Sequence, residues 1–110
     1  MTTKASKGPP IYSELAEDPD FGELVEMFVD EIPNRVQTLL TAHQAGDRES
    51  LRRTAHQLKG AAGSYGFGQV THAAFGLEHA LREKSTEQIV CDRLAELIDL
   101  CERMRAGVPD

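Results

Sequence analysis

Apolar residues recur at three- and four-residue spacing along most of the chain, and no segment shows sustained alternation of apolar and polar residues. This pattern predicts amphipathic helices and no β-strand. It is clearest in the first long segment, whose apolar positions are Phe21, Leu24, Val25, Phe28, Ile32, Val36, Leu39 and Leu40. Pro33 lies inside this segment and is expected to bend the helix, because proline has no N–H to donate and crowds the preceding turn.

Three further segments carry the same periodicity. Their predicted buried positions are Leu51, Ala55, Leu58 and Ala62; then Val70, Ala74, Leu77 and Leu81; then Val90, Leu94, Leu97, Ile98 and Cys101. Asp18 and Asp47 are predicted to cap the first two long helices, and Gly46 to end the first. Ser85, with Gln88 three residues later, is predicted to form a capping box for the last helix.

Four long helices joined by short loops predict an all-α fold, an antiparallel up-and-down four-helix bundle. The segment from Ile11 to Leu15 is predicted to add a short N-terminal helix at one end of this bundle. Residues 1–10 are interpreted as a flexible lead. The remaining residues, 11–110, are then one domain, a usual size for a single core.

Charge and composition exclude several classes of function. The net charge of −6 argues against binding nucleic acid or an anionic membrane surface. No apolar run approaches the ~20 residues of a membrane span, and residues 1–10 are polar, without the apolar core expected of a signal peptide. The cytoplasm is therefore the expected location. Cys91 and Cys101 lie ~15 Å apart along one predicted helix, too far for a disulfide, and their spacing fits no zinc motif. They are expected to be free thiols, and no metal site is predicted.

His56 is the candidate functional residue. On a helix whose buried stripe includes Ala55 and Leu58, His56 points away from the core, and its face also carries Gly60 and Gly63. Each glycine costs about 1 kcal/mol relative to alanine inside a helix. The absence of a Cβ beside the imidazole predicts that another protein approaches it closely.

The segment around His56 is basic in an acidic chain. Between residues 48 and 59 the local charge is +3, with Arg52, Arg53 and Lys59 on or near the face of His56. Lys59 follows three residues after His56, so its ammonium could steady a phosphoryl group or meet an acidic partner. The alternative is an exposed histidine on a solvated basic face.

The words His56-x-Leu58-Lys59-Gly60, Gly63-Ser64 and Gly66-Phe67 resemble the signature of histidine-containing phosphotransfer (HPt) domains. The resemblance extends from about Phe21 to the last helix. It includes Phe28-Val29 with Pro33 in the preceding helix, and Leu77-Glu78 with Ala80 in the following one.

The resemblance implies a phosphorelay intermediate of two-component signalling. His56 would take a phosphoryl group on a ring nitrogen and exchange it with the aspartate of a receiver domain, which supplies Mg²⁺. The domain itself would be a monomer without cofactor, kinase activity or nucleotide site. The residues expected to dock the receiver are Arg52, Arg53, Gly60, Gly63 and Ser64.

Glu78 is predicted to orient His56. The turn between the second and third long helices centres near Phe67, with His56 eleven residues before it and Glu78 eleven residues after it. In an antiparallel pair these two residues lie at the same level along the helix axes. A Glu78 oxygen is therefore expected within ~3.2 Å of His56 Nδ1, directly or through one water. Nε2 would then be free to attack. The alternative is an ordinary solvated glutamate.

Two other functions fit parts of the sequence. A helical adaptor could dock a partner on the glycine-flanked face without phosphate chemistry. The dimerisation and phosphoacceptor domain of a histidine kinase fits less well, because that family usually has proline soon after its histidine motif, where this chain has Gly60 and Ala61. His43, His72 and His79 are interpreted as surface or helix-end residues.

Overall fold

The computed structural model describes residues 8–109, most of which lie in four helices. The elements in chain order are β1 (Ile11–Tyr12), α1 (Gly22–Gln44), α2 (Arg48–Ser64), α3 (Gly68–Arg82), α4 (Glu87–Arg103) and β2 (Met104–Arg105). Most of the predicted N-terminal lead lies outside the described residues. None of the helices is both long enough and apolar enough to cross a membrane, within the part of the chain that the structure describes.

The predicted stripes of α2 and α3 form the centre of the core. All their members are buried, and they pack with Val90, Leu94, Leu97 and Cys101 of α4 and with Val25, Phe28, Ile32 and Leu39 of α1. Ile98 and Val36 are only partly buried. Helix α2 packs against α1 and α3, and α3 packs against α4. The antiparallel, up-and-down order of the four helices stays a prediction.

Helix α1 begins later than the sequence predicts. The carbonyl of Asp18 accepts hydrogen bonds from the backbone of Phe21 and Gly22 within a turn, so Asp18 is not the cap, and α1 starts at Gly22. Phe21, which precedes the helix, and Leu24, which lies in its first turn, are both exposed rather than buried. The helix continues through Pro33, and the predicted bend there stays a prediction.

The other helix ends depend on local polar groups. Asp47 caps α2 as predicted, since its Oδ1 accepts from the backbone N–H of Ser50 at 3.0 Å. Gly46 ends α1 in the left-handed conformation, with φ +71°. The cap of α4 is Thr86, whose hydroxyl accepts from Ile89 N at 3.3 Å, and not Ser85 as predicted.

The predictions of an N-terminal helix and of no strand are both wrong. Ile11 and Tyr12 form a two-residue strand that pairs in parallel with Met104 and Arg105. The next residues form a turn, fixed by Ser13, whose hydroxyl donates to the Tyr65 carbonyl at 2.5 Å. Two residues are too few to show a period of two, so only the tertiary fold reveals this pairing.

Candidate functional site

The turn between α2 and α3 determines which residues of the two helices lie side by side. Gly66 occupies a left-handed conformation with φ +84°, and Phe67, fully buried, lies directly before α3. From this turn the two helices bring His56 of α2 beside Glu78 of α3. The Nδ1 atom of His56 lies 2.8 Å from Glu78 Oε2, within the distance expected from the sequence.

The two partners differ sharply in exposure. The side chain of His56 is 56% exposed, whereas that of Glu78 is 2% exposed. A buried carboxylate needs compensating charges and donors. Lys59 Nζ lies 2.8 Å from Oε1, and an Arg82 guanidinium nitrogen lies 3.0 Å from Oε2. Glu78 is therefore the buried centre of a cluster of three basic side chains.

This cluster keeps Glu78 ionised. Burial, the strongest single influence, raises the pKa of the Glu78 carboxyl, but the hydrogen bonds and charges of Lys59 and His56 together outweigh it, and the net pKa is lowered. An ionised carboxylate can only accept hydrogen bonds, so His56 Nδ1 must be the donor. In neutral His56 the proton then resides on Nδ1, and the lone pair resides on Nε2.

Lys59 lies closer to the core than the sequence suggests. Its side chain is 28% exposed, and its ammonium engages Glu78. Its Nζ also lies 5.6 Å from the ring centre of Phe75, a cation–π arrangement. The Lys59 carbonyl accepts from the hydroxyl of Thr71 at 3.0 Å, which adds a contact between α2 and α3.

The two glycines near His56 have different surroundings. A Cβ added at Gly60 would have nothing within 4 Å outside the local helix backbone, so this surface is open. A Cβ at Gly63 would lie 3.2 Å from Thr71 Oγ1, a tight contact. No packing contact therefore requires a glycine at position 60, and its role in access stays a prediction, whereas Gly63 allows α2 and α3 to approach each other.

The family model of the Hpt domain matches residues 23–107, which is most of the chain. The chain belongs to the Hpt domain family. No curated protein and no solved structure gives a significant match. Membership identifies a module of histidine phosphotransfer in two-component signalling, whose partners are the receiver domains of response regulators.

The remaining predicted docking residues lie on the exposed side of α2 in this Hpt domain. Arg52 is tied to Glu49 at 2.7 Å, and Arg53 lies 3.7 Å from the same carboxylate. Ser64 is the exposed last residue of α2. Glu49 thus partly neutralises the basic surface that the sequence indicates.

Sequence reasoning missed Arg82. It lies four residues after Glu78, one helical turn away, and this spacing is the usual one for an ion pair on a helix. The signal was therefore present in the sequence. His72 and His79 are exposed, and His79 stacks on Phe75 with ring centres 5.9 Å apart.

Proposed function

We propose that this Hpt domain carries a phosphoryl group on Nε2 of His56 and exchanges it with the aspartate of a receiver domain. The observation that best supports this is that Glu78 holds Nδ1 of His56 in place while the imidazole ring stays exposed. Glu78 fixes the proton on Nδ1, and the exposed side chain leaves Nε2 accessible to a partner.

The transfer needs no group beyond those of the two proteins and the receiver's metal. The Nε2 lone pair attacks the phosphorus of the aspartyl phosphate, an N–P bond forms, and the P–O bond to the aspartate carboxylate breaks. The imidazole becomes a phosphorylated cation that keeps its Nδ1 proton. In the reverse direction the aspartate oxygen attacks phosphorus, and neutral imidazole leaves.

Glu78 acts in this scheme as a positioning residue. Its negative charge lies beside the ring that becomes cationic, which stabilises the phosphorylated state electrostatically. Lys59, together with His56, keeps the carboxylate ionised, and Arg82 helps to hold it in place. Lys59, still partly exposed, adds positive charge near the phosphoryl group.

The receiver supplies Mg²⁺ in this proposal. Both oxygens of Glu78 already lie within 3.0 Å of basic side chains, which makes this carboxylate a poor metal ligand. The domain itself acts as a monomer in the cytoplasm, without a nucleotide site or kinase activity. Its net negative charge disfavours binding to an anionic membrane surface. The receiver docks across the open surface at Gly60, flanked by Arg52, Arg53, Gly63 and Ser64.

The test is transfer of label from a phosphorylated receiver to this chain. The parent should become labelled, with an acid-labile, base-stable bond typical of phosphohistidine, and His56→Gln should abolish the label. The matched variants His43→Gln, His72→Gln and His79→Gln should label normally. Label on His56→Gln at the normal rate would refute the proposal, and receiver binding without any labelling of the parent would favour an adaptor.

A further inference from the structure

Three side chains with metal-binding atoms meet at another part of the bundle. His43 lies in the last turn of α1, and Glu87 and Cys91 lie one helical turn apart at the start of α4. Their candidate ligand atoms, His43 Nε2, Glu87 Oε2 and Cys91 Sγ, all lie within 4.8 Å of one another. We call these three residues the His43 cluster.

The distances in the His43 cluster resemble the edges of a small coordination polyhedron. Nε2 lies 2.7 Å from Oε2 and 3.6 Å from Sγ, and Sγ lies 3.3 Å from Oε2. A tetrahedral zinc ion, with bonds of about 2.0–2.3 Å, separates such ligand atoms by roughly 3.3–3.6 Å. Only the N–O edge has to widen appreciably, and its glutamate is an exposed side chain.

Arg48 orients the carboxylate of this cluster. Its guanidinium donates to the Ser85 carbonyl at 3.0 Å and to Glu87 Oε1 at 3.2 Å. The other oxygen, Oε2, is thereby directed to His43 and Cys91. One glutamate oxygen is thus held by protein, and the second faces a nitrogen and a sulfur.

We propose that the His43 cluster binds a divalent transition metal of the zinc class through His43, Glu87 and Cys91, with a fourth position open to solvent. An imidazole nitrogen and a thiolate sulfur favour zinc over magnesium or calcium, which prefer oxygen ligands. Binding breaks the hydrogen bonds that the Cys91 thiol and the His43 Nε2–H donate to Glu87. The thiol proton and the Nε2 proton leave to the buffer as the metal–sulfur and metal–nitrogen bonds form. His43 then holds its remaining proton on Nδ1.

The metal would join the end of α1 to the start of α4. These helices make few contacts with each other compared with the α2–α3 pair, so a link between them adds a constraint that packing supplies only weakly. Arg48 lies eight residues before His56, about 12 Å along α2, so the metal site is separate from the phosphotransfer site. The inference therefore does not depend on the proposed function.

Cobalt(II) tests the site directly, because thiolate coordination gives an absorption band in the near ultraviolet. The full chain, reduced and freed of metal with a chelator, should bind one Co²⁺ with this band, and Zn²⁺ should displace it. Cys91→Ser should lose the band, and the matched variant Cys101→Ala should keep it, since Cys101 lies in the core away from the cluster.

Thermal unfolding gives a second readout. A Zn²⁺ concentration one hundred times the dissociation constant should raise the ratio of folded to unfolded protein about a hundredfold in the parent. His43→Gln should lose this increase, whereas His72→Gln, an exposed histidine on α3, should keep it. Because Cys91 and His43 are not fully buried, both variants should fold.

Three results would overturn the inference. They are the absence of a thiolate band in the parent, a band that survives Cys91→Ser, and zinc stabilisation that His43→Gln retains in full. Any of them would mean that the His43 cluster is a hydrogen-bonded contact between helices and nothing more.

Discussion

Glu78 is the residue that organises the candidate site, because three basic side chains converge on it. Glu78→Ala should slow labelling of His56 by roughly ten- to a hundredfold, by analogy with carboxylates that orient metal-binding histidines. The nucleophile remains, so labelling should not vanish. Rates measured with a phosphorylated receiver, beside the exposed control Glu83→Ala, provide the comparison.

A structural role alone would not change the tautomer of His56. Nitrogen NMR of the ring should show the proton on Nδ1 in the parent and a mixture of tautomers in Glu78→Ala. An unchanged tautomer together with an unchanged rate would show that Glu78 does not orient the imidazole.

Gly60 provides a test of access at the same site. Gly60→Ala and Gly76→Ala each add a methyl group to a helix without a close clash, so both should stabilise the fold by about 1 kcal/mol. Gly60→Leu should also fold, but it should slow transfer strongly, because its side chain stands beside the imidazole. Denaturant unfolding and labelling rates measure the two effects separately; rapid transfer in folded Gly60→Leu would count against a steric role.

The site was predictable from sequence where helical periodicity governs it. The exposure of His56 and the height of Glu78 follow from residue spacing on α2 and α3. The partial burial of Lys59 does not follow from residue spacing, because it depends on how far the side chain bends back toward Glu78. Nor could spacing reveal the His43 cluster, since His43 and Glu87 are 44 positions apart and meet only through packing.

At the scale of the element, the start of α4 gives a sharp comparison between neighbouring residues. Thr86→Ala should cost about 1 kcal/mol, because it removes the hydroxyl that accepts from Ile89 N. Ser85→Ala should change stability little, since the Arg48 contact uses the backbone carbonyl of Ser85. The free energies of unfolding of the two variants decide between the caps; an equal loss in both would contradict the assignment to Thr86.

The interiors of the helices were predictable, and their ends were less so. A stripe such as Leu51, Ala55 and Leu58 repeats over several turns, whereas a cap depends on one side chain and one backbone angle. Asp18 and Ser85 are good capping residues by type, yet each makes its hydrogen bonds in the turn or loop that precedes the helix. The connecting segments, and not the residue types alone, therefore determine where α1 and α4 begin.

For the whole molecule, Glu78 links stability to pH. Its pKa is lowered from the ordinary value of 4.5 in the folded state, so its contribution is present at neutral pH and is lost as the pH falls through the lowered pKa. The parent should therefore lose stability below about pH 4.5. Glu78→Gln, which cannot titrate, should show a shallower decline in unfolding free energy over this range.

The slope should not vanish in Glu78→Gln. The carboxyls of Asp47, Glu49 and Glu87 also have lowered pKa values and contribute in the same direction. Chemical denaturation at a series of pH values measures the difference, and identical slopes in parent and variant would contradict the linkage.

The contact between the two ends of the described chain has a consequence for how the fold opens. Arg103 donates to the Pro9 carbonyl at 3.1 Å across 94 positions, beside the paired strands β1 and β2. Each strand has only two residues, so little backbone pairing holds the ends together once the helices are packed. The strand amides should therefore exchange their hydrogens through a partial opening, well before those of Leu58 and Leu77. Force applied to either end should break this contact and separate the two strands, while the helices that hold His56 stay folded.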